Sequence, residues 1–219
     1  MTDVRLPLVS ASQITTYREC ARKWAWRYLQ GVETPQHPSA ALGQEVDDTQ
    51  LQPYLRDGRA LDLTRPSGYI AQAGIEFLPA PQAIGLQVQK HFVMPSPTWV
   101  DGKHIGFGFQ GYLDLWLPDS AGMPGMPGGA PLVGDFKTTG DFRWVKSESV
   151  LRKDVQAMLY ATHALFETRA KEVDLAWVYF RTKQPWKATR TALRVSANEV
   201  AQQFVEINQT AIEMFETRK

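Results

Sequence analysis

Apolar positions at helical spacing open the chain: Ile14, Tyr17, Trp24 and Tyr28 share one face and predict a helix over about residues 13–30. Ser12 stands where an N-cap hydroxyl accepts a free amide of the first turn, and Gly31 is a natural stop before Pro35 and Pro38. A second helix is predicted from about Ala40 to Leu55, broken or kinked near Pro53 because proline has no amide hydrogen to give. Between Gly58 and Gly85 the pattern admits a short helix at about residues 67–77. The period then shortens. Residues 86–93 and the aromatic-rich run 106–117 read as strands, and Pro118 closes the second. AGMPGMPGGAP is read as a mobile hairpin loop, and a third strand follows at residues 131–137. Helical spacing returns from Val150 to Phe166. The continuous apolar run Val173–Arg181 suits a strand covered on both faces, with the alternating Thr189–Val195 as its neighbour. Ser196 and Glu199 form a capping box for a last helix that buries Phe204, Ile207, Ala211 and Phe215.

This order predicts an α/β (α+β) fold with a central mixed sheet flanked by helices, α-β-β-β-α-β, plus helical additions at both ends. At 219 residues the chain is expected to be a single domain, 1–219: a helical part at 10–85, a sheet core at 86–195 and a C-terminal helix at 196–219. A hydrophobic fraction of 43% and a charged fraction of 21% fit an ordinary globular protein. The net charge of +1, from 24 basic and 23 acidic side chains, neither supports nor excludes nucleic-acid binding, because clustering on one face decides that. Cys20 is the single cysteine, so an internal disulfide and an all-cysteine cluster are excluded, and it is expected to be a packed thiol in a reducing compartment. Neither a signal-peptide pattern nor an apolar run of membrane-spanning length is present, which predicts a soluble cytoplasmic protein.

Chemistry concentrates in GYLD, ending at Asp114, and GDFK, carrying Asp135 and Lys137. Two apart on a strand, Asp135 and Lys137 leave the same face, and the intervening loop folds Asp114 back beside them at the sheet edge. Two carboxylates and an ammonium suit a hard divalent cation and the hydrolysis of a phosphodiester. An isolated Asp-x-Lys is far more often a plain surface ion pair.

Here the motif has company. SASQITTYRECARKWAWRYLQG, LGQEVDD, FGFQGYLDLW, VGDFKTT and QAMLY resemble, in order, five successive motifs of the PD-(D/E)XK nucleases, in their RecB-like exonuclease branch. The resemblance implies a restriction-endonuclease-like core and a Mg²⁺- or Mn²⁺-dependent deoxyribonuclease. Its activity would be exonucleolytic, serving recombination, repair or phage DNA processing. Asp114, Asp135 and the Phe136 carbonyl would ligate the metal, Lys137 would be the catalytic lysine, and Gln156 and Tyr160 would help hold DNA. The sequence departs from the pattern in three places. Asp47 stands where the family carries histidine, and can donate oxygen to Mg²⁺ or Mn²⁺ or be merely solvated. Gln87 and Gln89 occupy the region of a family glutamate, which weakens a second-metal site. Cys20 matches an early cluster cysteine whose three late partners are missing, so no iron–sulfur cluster is expected.

DNA is the implied partner, with no membrane contact and a helicase or recombination partner left open. Arg18, Arg22, Lys23 and Arg27, and then Arg143, Lys146, Arg152 and Lys153, are the candidate phosphate contacts, against the alternative of solvated helix faces. Trp24, Trp26 and Trp144 are candidates for stacking on bases, against the alternative of core burial. His37, His91, His104 and His163 show no ligand spacing. The alternatives to an active exonuclease are a catalytically silent DNA-binding or assembly module on the same fold, and a site-specific endonuclease.

Overall fold

A computed structural model describes residues 7–33, 38–96, 99–100, 103–104 and 106–217. A three-residue strand, β1 (Leu8–Ser10), runs straight into helix α1 (Ala11–Glu19). The cap is Ser10, whose hydroxyl accepts from the Gln13 amide at 3.4 Å, so the helix starts earlier than the Ser12 reading. Cys20 then breaks it: its backbone is extended, and its Sγ accepts from the Lys23 amide at 3.4 Å to start α2 (Ala21–Trp24). Contrary to expectation, Cys20 is exposed, a cap rather than a packed thiol. A π-helical turn, Ala25–Leu29, completes this arm.

The second helical arm is continuous through Pro53. Helix α3 (Pro38–Glu45) widens into a π-helical turn, Val46–Leu51, and resumes as α4 (Gln52–Asp57) with Pro53 in its first turn, where no amide hydrogen is needed. Gly43 is required here, since a Cβ on it would stand 2.4 Å from the Thr138 hydroxyl. The 67–77 reading resolves into α5 (Pro66–Gln72) and a 3₁₀ turn, Ile75–Phe77.

Strand β2 (Gln87–Pro95), the short hairpin β3 (Trp99–Val100) and β4 (Lys103–His104), β5 (Gly108–Leu117) and β6 (Leu132–Thr139) follow. Then come α6 (Glu148–Leu151), α7 (Val155–Thr168), β7 (Glu172–Arg181), β8 (Ala188–Ser196) and α8 (Ala197–Thr217). Asp154 caps α7 through the Ala157 amide at 3.0 Å, and the Ser196–Glu199 capping box starts α8 with bonds of 2.8 and 3.3 Å.

Six strands form a mixed sheet, β1-β5-β6-β7-β8, with β2 also paired to β5. The α-β-β-β-α-β order is therefore present in α1, β2, β5, β6, α7 and β7. Residues Val173–Phe180 of β7 are all buried because apolar layers cover both faces. On one face Leu175, Trp177 and Tyr179 pack with Met158, Leu159 and Ile207 of α7 and α8. On the other, Ala176, Val178 and Phe180 pack with Leu51, Leu55 and Ile70 of the N-terminal helices.

The glycine- and proline-rich loop after β5 is tied down rather than free. Asp119 accepts from the Ala121 and Gly129 amides at 2.9 Å, Met123 is buried, and Arg190 and Arg194 of β8 each donate to a loop carbonyl at 2.6 Å. Among the described residues no helix is long and apolar enough to cross a membrane.

Candidate active site

β5 and β6 pair only over Leu115–Leu117 and Gly134–Leu132, then diverge. Farther back, the same side of β5 pairs with β1 over Gly108–Gln110. This leaves Gly111–Asp114 facing a fork in the middle of the sheet, not its edge as the sequence suggested. The opened ladder would strand the Phe136 amide; the Asp114 carboxylate takes it instead, Oδ2 accepting at 2.7 Å.

The fork joins the two layers. Leu113 packs in the α7–α8 layer, whereas Leu115, two residues on, packs in the opposite one, so strict alternation breaks at Asp114. Across the ladder from it, Gln89 adopts φ +54°, a left-handed conformation that costs a non-glycine residue about 1 kcal/mol or more. The strain aims its amide at two carboxylates: Nε2 donates to Asp114 Oδ1 at 3.0 Å and to Asp47 Oδ2 at 3.1 Å. Asp47 sits in the π-helical turn of the second arm and also accepts from Gln52 at 3.0 Å.

From the α7 side, Asp135 forms an ion pair with Lys137 at 2.6 Å and accepts from Gln156 at 2.7 Å. Gln156 also donates to the Tyr160 hydroxyl at 3.1 Å. Gly111 makes room for this contact: a Cβ there would meet the rings of Phe92 and Tyr160 at 2.7 Å. Asp47, Gly111, Asp114, Asp135, Phe136, Lys137, Gln156 and Tyr160 line one cleft of about 910 Å³, whose walls also include the start of α1 and the Lys146–Asp154 pair.

Crowding sets the protonation. Burial first, then the charges of Asp135 and Asp47, holds Asp114 well above the usual carboxylate range. Burial, with help from Asp48 and Asp135, pushes Asp47 up to about 6, against the Gln52 hydrogen bond. Asp135 is raised by burial despite Lys137. Burial pulls Lys137 down, but Asp135 and Asp114 outweigh it and keep the ammonium protonated.

No three His, Cys, Asp or Glu side chains among the described residues form a ready-made cage. The donor set nevertheless fits a hard divalent cation, which takes one or two carboxylates and fills its shell with water and substrate phosphate. Asp47 Oδ1 is buried without a hydrogen-bond partner, while amides or the Lys137 ammonium occupy the neighbouring carboxylate oxygens. Such an oxygen is suited to a cation.

The other sequence candidates are spread out. Lys146 lines the cleft, but Arg18, Arg22, Lys23 and Arg27 do not. Arg18 instead ties α1 to α8 through Thr210 and the Glu206 carbonyl, at 3.0 and 2.9 Å. Arg22 lies over Trp26, Arg27 over Tyr28, and Lys23 pairs with Glu19. Arg143 pairs with Asp141 on the surface, and Arg152 with Glu199. Trp24 is wholly buried and cannot stack on a base; Trp26 and Trp144 are exposed, Trp144 by 75%. Gln87 and Lys153 are exposed. His163 is buried against Phe92 and Glu167, and His37 and the side chain of His104 lie outside the described residues. Sequence reasoning missed the bridging role of Gln89 and the place of Asp154. An aspartate before a helical run signals a cap and would have found the latter; the former shows only in the strand register.

A family model of the PD-(D/E)XK nuclease superfamily matches residues 8–218, and the chain belongs to that superfamily. No curated protein matches it. A protein from Eubacterium rectale provisionally designated an exonuclease is similar in structure, with 13% identity and a TM-score of 0.55 over 94% of this chain and 79% of that one. SSO0001 is similar at 11% identity and a TM-score of 0.51, over 100% of this chain and 79% of that one. At such identities the likeness is one of fold.

Proposed function

We propose that this chain is a divalent-metal-dependent deoxyribonuclease of the RecB-like kind that hydrolyses phosphodiester bonds at DNA ends, in recombination, repair or phage DNA processing. The observation that carries the reading is the strand fork, which brings Asp114, Asp135 and Lys137 together with Asp47 from the opposite layer in one cleft.

Asp114, Asp135, the Phe136 carbonyl and Asp47 would hold Mg²⁺ or Mn²⁺; iron–sulfur chemistry has no part in this reading. The bound ion would neutralise developing charge and supply a nucleophile near neutral pH. Lys137, kept cationic by its two aspartates, orients the attacking water and stabilises negative charge growing on the phosphoryl oxygens. Gln156 fixes the Asp135 carboxylate, leaving its other oxygen to Lys137. Tyr160, whose hydroxyl is pushed up to about 12 by burial and by Asp135, stays neutral and acts as a hydrogen-bonding group at the cleft wall. Lys146, and Arg143 beyond the cleft, meet backbone phosphates; Arg22 and Lys23 serve a strand that runs on past α1.

The test is digestion of end-labelled linear duplex and single-stranded DNA with Mg²⁺, Mn²⁺ or EDTA, wild type beside Lys137→Ala. Metal-dependent release of label by wild type alone is expected. Absence of cleavage with every metal and substrate, while DNA binding persists in EDTA, would replace this reading by the silent DNA-binding module. Discrete fragments from closed circular DNA would replace it by a site-specific endonuclease.

A further inference from the structure

One aromatic pair, of which Tyr112 lines the cleft, takes no part in the chemistry above. Tyr112 and His91 are cross-strand partners on β5 and β2, with ring centroids 4.6 Å apart and planes tilted by 33°. His91 is exposed, and Tyr112 is 55% exposed although it lies in the middle of β5. The fork explains the exposure: Tyr112 falls in the stretch of β5 between its pairings with β1 and β6. It lines the same cleft as Asp114, two residues along the strand, or about 7 Å. A single nucleotide bridges that span between its phosphate and its base. The exposed side chains of Ser12 and Thr15 at the start of α1 line the same cleft and offer hydroxyls to a backbone.

We propose that the Tyr112–His91 pair is a stacking platform for one unpaired base of the strand whose phosphate is held at Asp114 and Asp135. The substrate class is therefore DNA with an unpaired nucleotide at the cleft, a single strand or a frayed end, rather than the interior of a duplex. A stack of this kind is tolerant of sequence because every base has a π-face, which suits an enzyme that digests without reading bases. The inference rests on the nuclease reading. A purely structural cross-strand pair would look similar in the sheet, so the test must separate the two.

Binding is measured by fluorescence anisotropy with a labelled single-stranded oligonucleotide, Ca²⁺ replacing Mg²⁺, and with versions carrying one abasic position moved along the strand. Wild type is expected to lose about tenfold in affinity when one particular base is missing, within the range for a single aromatic stack. Tyr112→Ala should bind the intact strand about tenfold more weakly and be indifferent to the abasic position, with an unchanged thermal melt. Tyr112→Phe, which keeps the ring, should behave as wild type, and His91→Ala should fall between. A wild type with no sensitive position, or a Tyr112→Ala variant with undiminished sensitivity, overturns the platform. So does a loss shared equally by Tyr112→Phe. Mn²⁺-dependent cleavage of DNA by wild type, scored separately, tells whether the nuclease reading stands when the platform falls.

Discussion

Asp135 and Asp174 lie on adjacent parallel strands, both fully buried and both paired with a cation, yet their surroundings differ in kind. Asp174, at the start of β7, receives both arms of the Arg194 guanidinium at 2.9 and 2.7 Å. Arg194 also ties down the Gly128 carbonyl, so this pair fastens a loop to β8. Asp135 lies farther along β6, beside the fork, in a cleft that also holds the carboxylates of Asp114 and Asp47. One aspartate is matched to its cation; the other belongs to a group with more negative than positive charge, facing an opening. Burial with a partner is thus a poor marker of function, whereas buried charge left in excess at a cleft is a good one.

Removing the cation from each aspartate sharpens the contrast. Lys137→Ala is expected to lower DNA cleavage by on the order of a hundred- to a thousandfold, the usual loss for one group that stabilises developing charge, with melting little changed. Asp114→Ala should do the same. Steady-state cleavage beside a thermal melt checks both, and wild-type turnover in Lys137→Ala would remove Lys137 from the chemistry. Arg194→Ala should do the reverse. It leaves Asp174 buried without its partner and should cost about 3 kcal/mol of stability, read by denaturant unfolding, while the protein that remains folded cleaves at a rate close to wild type. A cleavage defect in Arg194→Ala larger than its folding defect would mean that the two aspartates are not separate.

The same contrast shows where the sequence was legible. β7 reads directly as a strand buried on both faces because its run of apolar residues leaves no polar face, and the capping box at Ser196 is a local hydrogen-bonding pattern. Asp135 and Lys137 were readable as neighbours because two residues on a strand share a face. β1 was not readable, since three residues carry no periodicity and its partners lie about a hundred positions away. The fork was not readable either. It depends on where β6 leaves β5, on the change of face at Asp114 and on a left-handed Gln89, none of which alters the hydrophobic pattern. The π-helical turn that presents Asp47 arises within an arm whose close approach to Thr138 at Gly43 is tertiary. The glycine- and proline-rich loop after β5 looked free because its anchors, Arg190 and Arg194, lie far along the chain.

Asp47→Asn probes the excess charge itself, with the smallest effect of the set. Asp47 titrates near 6 in the folded protein, above the ordinary 3.8, chiefly through burial. A carboxyl raised in this way favours the folded state while it is protonated, so its contribution is fully present below about 4 and lost as pH rises through about 6. Above that, the metal-free protein bears a cost on the order of 3 kcal/mol. Asparagine keeps the side chain's shape and an oxygen for Gln89 and Gln52 but carries no charge. The variant should therefore melt a few degrees higher than wild type at pH 8 without metal, and the difference should vanish at pH 4. Adding Mn²⁺ at pH 8 should raise the wild-type melting temperature more than the variant's, because the cation binds the deprotonated group. Parallel melting curves for the two proteins from pH 4 to 8 would show Asp47 to be solvated in the folded state and would take it out of the proposed ligand set.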